Sequence, residues 1–332
     1  MTLRIGVVGA GAMGAAHVRT LTTTVPRVRV GAVYDRDTDR AREVAASAGS
    51  GTTVPSSAEE LIGSDDVDAV VIASPDSTHA DLAVACLQAG KPVLCEKPLA
   101  VTVADALRVV EAELAVGRRL LQVGFMRRYD PGFVELRRLV RDGELGEVRL
   151  VHALHRNASS STSTDDAGLV TGSMVHELDT VPWLLDDPIV GIRVESPVVD
   201  GFRDPQLATL WTRAGVMVSA EVFVNAGYGY DVRCEVVGTT GTASLSPTPA
   251  VSTRKAGVNG VPVRDDFVAY FVDAYRRELA AWTEAARRGT MDGASAWDGY
   301  LAGVVAAAGV ASLSSGARES VDPGPTPALY LP

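Results

Sequence analysis

With 332 residues, 46% hydrophobic and 22% charged, the chain has enough apolar material for two domains and a large buried core. Its 41 acids against 31 Lys and Arg give a net charge of −10, which argues against nucleic acid or an anionic membrane surface as partner while still permitting a local basic pocket. Three widely spaced cysteines, Cys86, Cys95 and Cys234, fit neither a disulfide framework nor a metal cluster. They read as small buried hydrophobes in a reducing, cytoplasmic setting, and no metal site is expected.

The chain enters a strand at once in LRIGVVGAG, so no signal peptide is expected. AMGAAHVRTL continues with helical spacing, giving strand, Gly9-x-Gly11-x-x-Gly14, then helix. Gly9 permits a tight turn, Gly11 lets backbone approach a pyrophosphate, and Gly14 lets helix and strand pack closely. The helix start then offers unpaired N–H groups and a partial positive charge to phosphates. A second strand, VRVGAVYD, ends in Asp35, where a carboxylate accepts bonds from ribose hydroxyls and repels a 2′-phosphate. NAD is therefore the expected cofactor; Arg36 alongside keeps NADP as the alternative.

A helix over RAREVAASAG, a polar stretch through SAEELIGSDDV and a nearly continuous apolar strand, DAVVIASP, come next. THADLAVACLQAG reads as a helix closing at Gly90, KPVLCEKPLA as a short strand and turn, VADALRVVEAELAVG as a helix and RLLQVGFM as a strand. This alternation predicts an α/β, doubly wound parallel sheet, a dinucleotide-binding Rossmann domain over residues 1–122.

Glu96-Lys97-Pro98 follows a strand end on the edge where such sheets bind ligands. With this triplet the sequence resembles the Gfo/Idh/MocA oxidoreductases, and VGFMRRYDPGF, HRN, VHELD, DPQ, AEVFVNAGYGYDVRCEVVG and SAWDGYLA are similar to its inositol 2-dehydrogenase branch. The likeness spans nearly the whole chain. It implies that the EKP lysine, Lys97, meets substrate beside the nicotinamide. A lysine there can hydrogen-bond the reacting oxygen and, with a lowered pKa, take part in proton transfer. Bringing it from about 10.4 to about 8 costs roughly 3 kcal/mol, and desolvation beside a cationic nicotinamide acts in that direction. The expected cofactor contacts are Gly9, Gly11, Ala12, Met13, Gly14, Asp35, Arg36, Ser74, Glu96 and Lys97.

From residue 123 to 332 the pattern changes. PGFVELRRLVRDGELG reads as a helix, EVRLVHALHRN as a strand, ASSSTSTDDAG as a mobile loop and residues 174–185 as a helix. GIRVESPVV, LATLWTRAG, VMVSAEVFVN, YDVRCEVVGTTG and TASLSP read as strands of a largely antiparallel sheet in an α+β domain. The resemblance implies an open-faced sheet used for subunit contact, commonly in a homotetramer. A final helix, SAWDGYLAGVVAAAGVASLSSG, closes the chain; its core LAGVVAAAGVASL reads as too short and too glycine-broken to span a bilayer.

His176 opens the helix of this second domain. The resemblance makes it the catalytic partner of Lys97, an imidazole able to accept the hydroxyl proton near neutral pH, with the two groups converging on one carbinol. It also implies an aspartate four residues earlier, one helical turn away. Here that position is Gly172. Three readings follow: Ser173 supplies the missing bond, Asp165 or Asp166 swings in from the loop, or the preferred cyclitol differs. Arg127, Asn157, Ser173 and Tyr230, with Tyr228 as a second tyrosine, are the expected substrate contacts. Arg128 reads as a surface ion-pair residue, Glu177 as a helix-start acid at the dipole, and Asp179 as an anchor for a neighbouring loop. The implied activity is NAD-dependent oxidation of a cyclitol, most simply at the 2-position of myo-inositol. The alternatives are another inositol isomer, an aminocyclitol or a pyranose sugar, or a redox-silent dinucleotide-binding sensor.

Overall fold

The computed structural model describes residues 2–159, 165–246 and 252–331. The chain divides into two compact units: Met1–Met126 with Asp273–Gly303 and Pro323–Pro332, and Arg127–Val272 with Val304–Asp322. The expected boundary at 122/123 thus moves to 126/127, and two late segments return to the first unit.

In the first unit β1 (Leu3–Val8), β2 (Val28–Tyr34), β3 (Ala69–Ile72), β4 (Val93–Glu96) and β5 (Leu121–Gly124) form a parallel sheet in the order β2-β1-β3-β4-β5. Between them run α1 (Ala12–Thr23), α2 (Thr38–Ala48), α3 (Ala58–Gly63), α4 (His79–Gln88) and α5 (Val103–Val116). Helices cover both faces, so every residue of β3, β4 and β5 is buried. Side chains of Asp37, Ser57 and Thr102 cap α2, α3 and α5 by accepting from first-turn amides. The strand order reverses at β1/β3, the crevice where open α/β sheets take ligands.

In the second unit α6 (Pro131–Arg141) leads to β6 (Val148–Arg156). A helical turn α7 (Asp166–Gly168) and a π-helical segment, Leu169–Met174, precede α8 (Val175–Leu185). Then come β7 (Ile189–Glu195), β8 (Gln206–Thr212), β9 (Met217–Phe223), β10 (Asp231–Gly238) and β11 (Thr242–Ser244). A small hairpin of β12 (Thr253–Lys255) and β13 (Val258–Gly260) precedes a short helix, α9 (Phe267–Tyr270). The seven-stranded sheet is ordered β11-β10-β6-β9-β8-β7-β14, with β14 at Glu319–Ser320; only β6 and β9 pair in parallel. Alternating burial along β8, β9 and β10 leaves one face more exposed, as the sequence predicts. Part of the expected mobile loop, residues 160–164, lies outside the described residues.

Two long helices close the chain. α10 (Val272–Arg288), absent from the sequence reading, inserts Leu279, Trp282 and Ala285 among Ile5, Val7, Val18 and Leu94 of the first unit's core. The Ala-rich run forms α11 (Ala296–Ser315), a full 20 residues. By length and composition it is able to cross a membrane, and half of its apolar window is buried inside the protein. The helix is longer than the apolar run picked out in the sequence, and its burial is that of a helix packed into a protein core. Its glycines serve contact rather than breakage: a Cβ at Gly299 would meet Leu99 and Val123 at 2.9–3.0 Å in the first unit. One at Gly309 would meet Ile192 and Val170 at 3.0 Å in the second.

Candidate active site

The glycine turn is built as its spacing demands. Gly9 has φ +100°, and a Cβ there would lie 2.4 Å from the Ala73 carbonyl at the end of β3. A Cβ at Gly14 would stand 1.9 Å from the Gly9 carbonyl oxygen, so helix and turn touch only because both are bare. Gly11 is different: its Cβ direction is open, and it begins α1 without a side-chain cap. The first-turn amides, on the exposed Ala12 and half-buried Met13, are thus left for an anion, which suits a pyrophosphate.

Asp35 sits at the end of β2 with one carboxylate oxygen accepting from the Ala10 amide at 2.7 Å. The other accepts from the Asp37 amide and from Arg40, at 2.8 and 3.0 Å. Burial alone would raise its pKa, but these bonds outweigh it and hold the carboxyl below its ordinary value. An ionised carboxylate tied to the glycine turn matches an unphosphorylated ribose. Arg36 is exposed, and the arginine at Asp35 is Arg40, which sequence spacing did not single out.

Ser74, after β3, bonds Thr78 through its hydroxyl at 2.6 Å. Its carbonyl is held by Nε2 of buried His79 at 2.9 Å, while Nδ1 of the same ring holds the Pro98 carbonyl at 2.7 Å. Glu96, expected as a cofactor contact, turns its side chain inward. One carboxylate oxygen pairs with His17 of α1 at 2.7 Å, and the other faces the Lys97 amide at 3.3 Å. Lys97 itself is half-buried beyond the end of β4.

In the second unit His176 lies in the first turn of α8, 6% exposed, its ring edge-on to His155 with centroids 5.9 Å apart. Glu177 beside it does stand in the dipole-favoured turn, but its carboxylate is 1% exposed and paired with Arg127. His155 Nδ1 stands 3.7 Å from the second Glu177 oxygen, and the Tyr230 hydroxyl is 3.4 Å from His155 Nε2. Burial would raise the Glu177 pKa; the charges of Arg127 and His155 overcome it and keep the carboxyl below its ordinary value.

Arg127, an expected substrate contact, is 2% exposed, paired with Glu177 and bracketed by Phe133 and Phe271. Its partner lies 50 positions away, beyond the reach of local sequence pattern. Tyr230, 3% exposed, belongs to the same buried cluster, and burial pushes its phenol up. Tyr228 is nearly half exposed and bonds Asp231 and Arg156. Arg128 makes the expected ion pair, but with buried Asp179 in two bonds.

Asn157 is held by backbone, its amide donating to Phe223 and its carbonyl accepting from Ala226, both at 2.9 Å. Its side-chain Oδ1 is buried with no partner among the described residues, an acceptor waiting for a donor such as a hydroxyl. Ser173 and Gly172 lie half-buried on the π-helical segment, and a Cβ at Gly172 would meet nothing within 4 Å. The loop acids are already engaged. Asp165 caps the Gly168 amide at 2.7 Å, and Asp166 accepts from the Arg203 amide at 2.8 Å. The three cysteines are buried and free, with Cys86 and Cys234 pushed up to about 12 by burial, which makes them inert thiols.

The family model described as "Oxidoreductase family, NAD-binding Rossmann fold" matches residues 3–125, and the GFO/IDH/MocA C-terminal domain matches residues 133–244. The chain belongs to the GFO/IDH/MocA oxidoreductase family. It is 49% identical to inositol 2-dehydrogenase 2 of Saccharopolyspora erythraea, covering 100% of this chain and 99% of that protein. It is 42% identical to an inositol 2-dehydrogenase/D-chiro-inositol 3-dehydrogenase of Shouchella clausii, over 99% of this chain and 97% of the other. Among solved structures, myo-inositol dehydrogenase from Lactobacillus casei in complex with NAD(H) and myo-inositol superposes with a TM-score of 0.96, at 33% identity over 100% of both chains. As a family member this chain is an NAD-dependent oxidoreductase, and the uncapped glycine turn and Asp35 lie in the part of the chain that matches the NAD-binding Rossmann model.

Proposed function

We propose that this protein oxidises a ring carbinol of an inositol, myo-inositol at its 2-position first, to the ketone. The observation that carries the reading is full-length likeness to inositol 2-dehydrogenases in a chain that keeps Lys97 at a strand end and His176 in the first turn of α8. NAD, when bound, supplies the hydride acceptor. Lys97 hydrogen-bonds the reacting oxygen and stabilises the charge that develops as the C–H bond breaks. His176 accepts the hydroxyl proton. His176 lies beside His155, whose Nδ1 stands next to the Glu177 carboxylate, a negative charge one ring away from the proton it takes up. Asn157 Oδ1 accepts from a ring hydroxyl, and a substrate lacking that hydroxyl leaves a buried acceptor unpaired at about 1–3 kcal/mol. Arg127 and Tyr230 act through Glu177 and His155 as positioning residues. Assembly as a homotetramer in the cytoplasm belongs to the same reading and rests on family resemblance.

Following NADH absorbance with purified protein, NAD and a panel of inositol isomers, aminocyclitols and pyranoses tests this. Turnover is expected with myo-inositol; silence with every cyclitol rejects the reading, and a burst of NADH rejects a redox-silent sensor.

Gly172 favours a second reading, a shifted isomer preference, because the open space at its Cβ leaves room beside the site for a ring substituent. Gly172→Asp is expected to fold with an unchanged or higher melting temperature, since it replaces glycine in a helical turn without a clash. Its turnover with myo-inositol is expected to rise roughly tenfold, equivalent to about 1.4 kcal/mol of added transition-state stabilisation. A fall in turnover, with a raised KM, places substrate in that space instead.

A further inference from the structure

We propose that Glu96, anchored by His17, sets the proton affinity of Lys97, so that the dinucleotide-binding helix α1 and the substrate-side lysine share one buried charge. The inference rests on the assignment of Lys97 to the reacting oxygen and extends it to what tunes that lysine.

Glu96 is the last residue of β4, 6% exposed, and immediately precedes Lys97. Opposite it in the sheet is Gly124, where a Cβ would lie 3.3 Å from the Glu96 carboxylate, so glycine leaves the room this acid occupies. One oxygen faces His17 at 2.7 Å and the other the Lys97 amide at 3.3 Å. The titratable groups recorded around the carboxylate are His17 of α1, His79 at the start of α4, Lys97 and the Cys95 thiol; Tyr275 of α10 packs edge-on against His17. Both ring nitrogens of His79 meet carbonyl oxygens, of Ser74 and Pro98. Glu96 is thus a single anion among three potential cations, and these keep its carboxyl below its ordinary value against the cost of burial.

The consequence is a competition. When His17 donates to Glu96, part of the carboxylate's field is satisfied away from Lys97; without His17 the same charge acts more strongly on the lysine. Removing the carboxylate does the reverse, leaving Lys97 near cations alone and favouring its neutral form. The two changes therefore move Lys97 in opposite directions, which general damage to the site does not do.

The chain contains only three lysines, Lys91, Lys97 and Lys255, so Lys97 can be titrated directly. Full-length protein is pulse-labelled with an amine-acylating reagent over a pH series, and modification of the Lys97 peptide is read by mass spectrometry against Lys255. Glu96→Gln is expected to lower the Lys97 midpoint by roughly one pH unit, and His17→Asn to raise it. Each shift is repeated in the pH limb of kcat where turnover is measurable. Midpoints that stay put, or that both move the same way, overturn the proposal. Should Glu96→Gln fail to fold, a fixed or lowered midpoint in His17→Asn alone is sufficient to overturn it. Labelling needs no turnover, so a protein silent with every cyclitol refutes the assigned reaction while leaving the charge coupling to stand or fall by its own titration.

Discussion

Lys97→Ala is expected to lower kcat by roughly a thousandfold or more, the combined size of a lost oxyanion donor and a lost proton-transfer group. The dissociation constant for NAD, followed by fluorescence titration, stays within about twofold. The separation of the two effects follows from the layout of the first unit. The nucleotide cradle is made by Gly9, Gly11, Gly14 and Asp35 at the ends of β1 and β2, whereas Lys97 stands after β4. The turn around it is fixed by side chains that the substitution leaves alone, His79 on the Pro98 carbonyl and Glu96 on the Lys97 amide. A variant that keeps near-normal turnover removes Lys97 from the chemistry; one that loses NAD affinity in step with kcat makes it a cofactor ligand instead.

Glu177→Gln is expected to destabilise the second unit by roughly 3–5 kcal/mol, the range for breaking one partner of a buried ion pair. The Arg127 guanidinium is 2% exposed and cannot reach water once its anion is gone. Phe133 and Phe271 offer only their ring faces in compensation. In a thermal melt this is a fall of roughly 10 °C. Replacing both partners, Arg127→Met with Glu177→Leu, is expected to recover much of that loss, because no unpaired charge remains. If the single and double variants melt together, the pair's charges are not what holds this core. The same cluster flanks His176 through His155, so both variants are expected to lower kcat even where the fold survives.

How much of this was readable in advance depended on the range of the interactions concerned. The nucleotide cradle is local: strand, Gly9, Gly11, Gly14 and helix follow one another within a few residues, and each glycine answers to a clash visible in its own turn. The apolar run at β3 and the close of α4 at Gly90, which has φ +67°, were likewise legible. Arg127 and Glu177 were not, because nothing in either neighbourhood marks one as the buried counterpart of the other. Arg127, a donor by residue type, became a core cation only through tertiary folding. The π-helical winding at Leu169–Met174 leaves no periodic mark in so short a run. The acids before it were expected as mobile understudies for the missing aspartate, yet Asp165 and Asp166 are committed to Gly168 and Arg203. Glu96 was read as part of the EKP triplet and as a cofactor contact, while its pairing with His17 left no local mark because that residue stands on a helix 79 positions earlier.

The insertion of α10 into the nucleotide-binding core has a consequence for biosynthesis. The five strands of the first unit's sheet are made well before Leu279 and Trp282, both fully buried among them, which follow six of the second sheet's seven strands. Tyr330, bonded at 2.8 Å to Glu113 of α5, comes later still. A nascent or truncated chain ending before α10 therefore lacks side chains that fill this apolar core, and the first unit is completed only once α10 has been made.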